Sequence, residues 1–357
     1  MEYLWFGLIA LVISFAVTPL VRKLARATGA MDIPRPPRNL HAKPTPKLGG
    51  LAVVVACAFA IGLYLQFGEW NNIIVPPSFF MGIGAGALIL MIGGFLDDKY
   101  DLPPYLLWIF PSLAALVVVL SGVGVGITTL SNPFGDPFNL DFKVLFLPAS
   151  AIFVWLWLMG MMFTTKFLDG LDGLVAGIGT IASFTLFLLS LTATVNQPIT
   201  ATLAIILCGA LLGYLFYAFY PASIFIGDGG SLFVGFMLGA LSILLGGKIA
   251  TAFLVMGIPI LDVALVLLQR ILTGRSPFKG DRLHLHFRLL DAGFSQRQTA
   301  AIFYAISALF GFTAVFLQSL GKLIALIALF IVMGLLVGGA VYLYRRKNRR
   351  AAQSLDL

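Results

Sequence analysis

The sequence predicts an all-α polytopic integral membrane protein of about 11 transmembrane helices, with its N-terminus outside and its C-terminus cytoplasmic. Three observations predict it. Of 357 residues, 60% are apolar and only 11% charged, where a soluble domain carries roughly 25% charged residues. Apolar runs recur between Pro, Gly and charged residues and give a mean hydropathy of +1.00. Of the 23 Lys and Arg, all but Lys143, Lys248 and Lys322 fall in alternate loops. A single water-facing globule and a disordered chain are both excluded.

Taken in order, the candidate spans cover residues 3–21, 49–66, 78–96, 104–121, 144–163, 174–193, 199–219, 231–246, 249–269, 299–320 and 323–344. The first has no basic segment before it and no small-residue cleavage site after it, so a retained helix is expected rather than a signal peptide. The loop after it is rich in Arg and Lys, which places that side in the cytoplasm. Residues 122–143, with their Gly, Asn and Pro, are expected to form a small outer hairpin or short helix. The run 249–269 contains Gly257-Ile258-Pro259, an expected kink. Residues 1–344 read as a single transmembrane domain and 345–357 as a basic cytoplasmic tail that anchors the topology at an anionic lipid surface. The formal charge of +8 therefore points to the lipid bilayer as partner, and not to nucleic acid. Cys57 and Cys208 lie in apolar runs and pack as small apolar residues.

The residues that carry chemistry cluster on the predicted cytoplasmic side. Asp97-Asp98 ends one helix, and adjacent carboxylates at a membrane border need a metal ion or a basic partner to offset their repulsion. Thr165-Lys166-Phe167-Leu168-Asp169-Gly170-Leu171-Asp172-Gly173 would place Asp169 and Asp172 on one face if it were helical, near a helix N-terminus. An ordinary Asp-Gly turn is the simpler alternative for either acid. Phe225-Ile226-Gly227-Asp228-Gly229-Gly230 surrounds one acid with glycines, which would let backbone approach a phosphate or a metal. A tight helix connection explains it equally well. His284 and His286, two of 3 histidines, stand among arginines including Arg282, where an extended segment would point both rings the same way. Phosphate recognition fits this segment better than zinc, because no cysteine joins it. Asp262 lies inside a span, where a buried hydrogen bond between helices is its expected role.

Five segments in order resemble the polyprenyl-phosphate N-acetylhexosamine-1-phosphate transferases: Pro46-Lys47-Leu48-Gly49-Gly50, Phe95-Leu96-Asp97-Asp98, Asp169-Gly170-Leu171-Asp172-Gly173, Phe225-Ile226-Gly227-Asp228-Gly229-Gly230-Ser231, and Asp281-Arg282-Leu283-His284-Leu285-His286. The likeness covers nearly the whole chain. It implies transfer of a sugar-1-phosphate from a UDP-N-acetylhexosamine to undecaprenyl phosphate, with release of UMP, as the first membrane step of a cell-envelope glycan such as teichoic acid or lipopolysaccharide. The His-x-His form resembles the undecaprenyl-phosphate GlcNAc-1-phosphate transferase branch, whereas the UDP-MurNAc-pentapeptide branch typically shows three consecutive histidines. The resemblance implies Asp97, Asp98, Asp228 and His284 as catalytic. It also implies Mg²⁺ (or Mn²⁺) on Asp228 and Asp98. Substrate would fall to Lys43, Lys47, Lys166, Asp169, Asp172, Phe225, Arg282 and His286, and a homodimer in the cytoplasmic membrane is implied as well. The chain departs from the family pattern at Phe163, Lys166 and Ala218, where asparagines are usual, and at Phe287, where a histidine is. An ion-coupled transporter is the alternative from another class, but it would need charge near the bilayer midplane, where only Asp262 lies.

Overall fold

The computed structural model describes residues 2–34, 43–68, 77–103, 105–123, 129–130, 136, 138–144, 147–244, 249–274 and 283–353. Among these, the helices are α1 (Glu2–Thr28), α2 (Gly49–Phe67), α3 (Pro77–Tyr100), α4 (Ile109–Leu120), α5 (Ala149–Leu168), α6 (Leu174–Ser190) and α7 (Pro198–Ala218). They are followed by α8 (Gly227–Leu244), α9 (Ile249–Val255), α10 (Gly257–Leu272), α11 (Leu285–Ala292), α12 (Gln296–Phe316) and α13 (Ser319–Gln353). Each of the expected spans falls on one of these helices or on a pair of them. Eight are long and apolar enough to cross a membrane, or nine if the bent pair α9 and α10 forms one span. Two shorter apolar helices, Leu106–Leu120 and Leu174–Ser190, account for the other expected spans.

The kink expected at Gly257-Ile258-Pro259 is an 82° bend between α9 and α10. Pro259 sits in the first turn of α10, where its missing N–H costs nothing. Among the described residues of 122–143, expected as a hairpin or short helix, Thr129–Leu130 pairs with Phe138–Asn139 in a short hairpin ladder. A second ladder pairs Lys143–Val144 with Leu147–Pro148.

Chemistry at the helix ends sets several boundaries that apolar runs alone missed. The span expected to stop at residue 96 continues to Tyr100, so Asp97 and Asp98 lie in the last turns of α3. Lys166 lies in the last turn of α5, and Asp228 lies in the first turn of α8. The segment 169–173 is a non-helical turn between α5 and α6, so Asp169 and Asp172 share no helix face. Asp169 caps the C-terminus of α5, contrary to the helix N-terminus expected for it. The His-x-His segment is not extended throughout either: His284 is the extended N-cap of α11 and His286 lies in its first turn.

Helices α7 and α8 run through the middle of the bundle and are buried along most of their length. Helix α1 packs against α2 and α7, α5 packs against α8, and α3 packs against both α4 and α8. The first turn of α8 is therefore covered by α2, α3 and α5 together, and this convergence builds the site.

Candidate active site

The approach of α2 and α3 to α8 depends on glycine. A Cβ on Gly94 would lie 2.1 Å from the Gly229 nitrogen, and one on Gly50 would lie 2.1 Å from the Gly230 Cα. Gly229 and Gly230 are thus spent on helix-to-helix backbone contact, a structural use of the Gly-Asp-Gly-Gly segment. Gly227 has φ +75°, and a Cβ there would lie 2.5 Å from Asp98 Oδ2. That left-handed turn brings the Asp228 N–H to Asp98, where it donates to Oδ2 at 3.2 Å and to Oδ1 at 3.4 Å.

A second backbone lock joins the Pro46-Lys47-Leu48-Gly49-Gly50 segment to Phe225 and Ile226. The Phe225 N–H donates to the Pro46 carbonyl at 2.8 Å, while the Gly49 and Gly50 N–H groups donate to Phe225 O at 2.8 Å and Ile226 O at 2.7 Å. Leu48 adopts φ 110°, a costly left-handed conformation for a residue with a branched side chain, held by these bonds on either side. Tyr214 of α7 donates its hydroxyl to Ile224 O at 3.0 Å and ties the same turn to the core.

Five charged side chains meet at this junction. Lys166 Nζ lies 3.2 Å from Asp97 Oδ2 and 3.2 Å from Asp228 Oδ2. Lys47 Nζ lies 3.5 Å from Asp98 Oδ1, whose carboxylate is almost wholly buried. The Leu102 N–H donates to Asp97 Oδ1 at 3.0 Å and fixes the acid at the end of α3. Burial works against charge on Lys47, but the carboxylates of Asp98, Asp228, Asp32 and Asp169 outweigh it and hold the ammonium above its usual range. Asp169 is exposed, with dense protein around it. That surrounding protein first, and then the charges of Asp228 and Asp98, push its carboxyl well above the ordinary range, against the pull of Lys47 and Lys166.

The remaining expected residues divide. Asp172 accepts a hydrogen bond from the Ala222 N–H at 2.9 Å, which ties the 169–173 turn to the segment after α7. His284 stacks on Phe167 at 5.8 Å and on His286 at 5.7 Å between ring centroids. His286 is buried against Gly170, where an added Cβ would come within 2.3 Å of its Nε2. The histidine segment and the Asp-Gly-x-Asp-Gly turn are therefore in contact. Phe163 extends the ring row from Trp108 (4.6 Å) to Phe167 (6.0 Å). Lys43 is exposed on the segment leading to Lys47, Phe225 is half-buried with its backbone in the lock, and Arg282 lies outside the described residues. Asp262 makes the buried hydrogen bond between helices expected of it, with a partner the sequence did not name: its Oδ2 lies 2.8 Å from His284 Nδ1, and its Oδ1 accepts the Leu285 N–H at 2.7 Å. The signal was present in the sequence as an acid inside a span, facing two of very few histidines.

Magnesium demands oxygen ligands at about 2.0–2.1 Å. Among the described residues, no group of three or more His, Cys, Asp or Glu is arranged to hold a metal ion. The carboxylates that the resemblance assigns to Mg²⁺ are already claimed: Asp228 by Lys166, and Asp98 by Lys47 and the Asp228 N–H. This arrangement does not fit a divalent ion bridging Asp98 and Asp228.

Comparison with known proteins agrees with the geometry. The family model described as glycosyl transferase family 4 matches residues 80–246. A probable undecaprenyl-phosphate N-acetylglucosaminyl 1-phosphate transferase of Bacillus subtilis is 31% identical over 335 residues, covering 91% of this chain and 88% of the relative. A decaprenyl-phosphate N-acetylglucosaminephosphotransferase of Mycolicibacterium smegmatis is 32% identical, covering 84% and 78% respectively. A phospho-N-acetylmuramoyl-pentapeptide-transferase of Staphylococcus aureus is 30% identical, covering 86% and 96%. Matched along nearly its whole length by relatives of this kind, the chain belongs to the polyprenyl-phosphate sugar-1-phosphate transferases of glycosyl transferase family 4.

Proposed function

We propose that the protein transfers GlcNAc-1-phosphate from UDP-GlcNAc to undecaprenyl phosphate, releasing UMP and forming a lipid-diphosphate-sugar for a cell-envelope glycan. The observation that carries this reading is the convergence of Asp97 and Asp98 (α3), Lys166 (α5) and Asp228 (α8) on one point at the helix ends. A lipid phosphate can reach such a place while its tail stays in the bilayer, and a soluble nucleotide can reach it from water. The basic loops on the same side as these acids support a site on the cytoplasmic face of the membrane.

In the proposed step, a lipid phosphate oxygen attacks the β-phosphorus of the donor in line with the departing UMP. Asp97, fixed by the Leu102 N–H, orients the acceptor phosphate, which is already largely ionised at neutral pH. Asp169, exposed beside this junction, holds the nucleotide-sugar. Phe225 stacks on the uracil. His284 and Arg282 contact the diphosphate, with His284 backed by the buried His286 ring. A largely apolar cleft of about 390 Å³ between α10, α11 and α13 is lined by Leu265, Leu268, Met333 and Val337 together with Asp262, the partner of His284, and offers the lipid tail a path.

The test is transfer by the purified protein in detergent with undecaprenyl phosphate and radiolabelled UDP-GlcNAc. Label passing into the organic phase, with matching UMP, is the expected result. Label accepted only from UDP-MurNAc-pentapeptide would establish the other branch, to which the Staphylococcus aureus relative belongs by name. Uptake into sealed vesicles without a lipid product would establish a transporter.

A further inference from the structure

Of the two lysines at the junction, Lys166 is the one that touches two carboxylates at once. Its ammonium stands 3.2 Å from Asp97 Oδ2 and 3.2 Å from Asp228 Oδ2, and its side chain is only 15% exposed. It arrives from α5 while the acids arrive from α3 and α8, so the cation is built into the place where three helices meet. A divalent ion bridging the same two oxygens would stand beside this ammonium, and the like charges would repel with little screening from solvent.

We propose that the Lys166 ammonium is a tethered cation that stands in for a divalent metal between Asp97 and Asp228, so that transfer proceeds without bound metal. The inference rests on the transfer reaction proposed above. In that step the P–O bond from the lipid phosphate to the β-phosphorus forms, and the bond from the β-phosphorus to the bridging oxygen of UMP breaks. The electron pair of the broken bond stays on the UMP phosphate, and no proton need move. The negative charge gathering on that leaving oxygen is what a cation must meet. Lys166 can turn its N–H groups from the carboxylates to the diphosphate without leaving the site, and as a point charge on a flexible stem it suits phosphate. Lys47, 3.5 Å from Asp98, supplies a second fixed positive charge to the same junction.

The experiment uses the full-length purified protein, stripped with EDTA and assayed for UMP release with and without Mg²⁺, beside Lys166→Asn. A thermal melt confirms that each protein is folded. Wild type is expected to change by less than about twofold between the two buffers, whereas Lys166→Asn falls by about 100-fold without metal and recovers at least about tenfold with Mg²⁺. Manganese titration followed by electron paramagnetic resonance gives a readout independent of turnover: wild type leaves Mn²⁺ free, and Lys166→Asn binds one ion. Wild type that falls silent in EDTA and recovers with Mg²⁺ overturns the proposal, as does tight Mn²⁺ binding by wild type. If wild type releases no UMP in either buffer, the proposed function fails, and the manganese titration alone then decides the role of Lys166.

Discussion

His284 Nδ1 lies 2.8 Å from Asp262 Oδ2, and the same carboxylate accepts the Leu285 N–H at 2.7 Å through Oδ1. One acid of α10 thus sets the orientation of a site histidine and the starting point of α11. The stack of Phe167, His284 and His286 then carries that orientation across to the Asp-Gly-x-Asp-Gly turn.

This relationship makes Asp262 a positioning residue. Asp262→Asn is expected to lower kcat by about tenfold or more, since a slightly misplaced group can cost that much, with little change in KM for the UDP-sugar. The double variant Asp262→Asn with His284→Ala is expected to be no worse than His284→Ala alone. Additive losses would show that Asp262 acts by a route that does not pass through His284.

The glycine contacts give a sharper structural contrast. Gly94→Ala and Gly50→Ala each drive a Cβ into the backbone of α8, at Gly229 and Gly230. Each is expected to cost about 2–3 kcal/mol or more, read as a lowered Tm in detergent, because backbone cannot step aside as a side chain can. Gly62→Ala in α2 meets nothing within 4 Å and is expected to be neutral or slightly stabilising. Equal losses at all three positions would contradict the close approach.

Asp172 is held to a backbone N–H, and that contact needs an oxygen acceptor rather than a charge. Asp172→Asn is therefore expected to keep stability near that of wild type, and Asp172→Ala to lose about 1–3 kcal/mol by leaving the Ala222 N–H without that acceptor. If Asn and Ala abolish transfer equally while both melt as wild type does, the carboxylate works on substrate instead.

Asp169 carries the pH prediction. Its folded carboxyl lies well above the unfolded value, driven up by the protein around it and by Asp228 and Asp98 against Lys47 and Lys166. An acid raised in this way destabilises the fold wherever the unfolded chain would ionise it, so the penalty is present at neutral pH and fades as pH falls towards about 4. Asp169→Asn is expected to raise Tm at pH 8, with a gain that shrinks on acidification, while transfer falls. A Tm difference that grows on acidification would contradict this reading.

Much of the molecule was legible in its sequence, because lipid leaves few choices. Each expected apolar run falls on helix, and the bend comes at Met256, directly before Gly257-Ile258-Pro259. The acids at 97, 98, 169 and 228 and the lysines at 47 and 166 do come together. What the sequence hid was tertiary. Hydropathy ends a helix at its first charge, whereas α3, α5 and α8 carry Asp97, Asp98, Lys166 and Asp228 inside their terminal turns because each charge finds an opposite one there. The glycines around Asp228 read as a cradle for phosphate, but their use depends on Gly50 and Gly94, far away in the chain. No local pattern shows that Asp262 faces His284, 22 residues on. Helix α11 was missed because it is short and follows a run of arginines and histidines.

The central claim is that Asp97 and Asp228, brought together on Lys166, form one reaction centre for transfer to a lipid phosphate. Its most direct test is UMP release from UDP-GlcNAc by wild type, Asp97→Asn and Asp228→Asn, each with and without undecaprenyl phosphate. The account predicts release by wild type only when the acceptor is present, and losses of about 100-fold or more in both variants with the melting transition retained. Release that ignores the acceptor, or that survives in both folded variants, would contradict it.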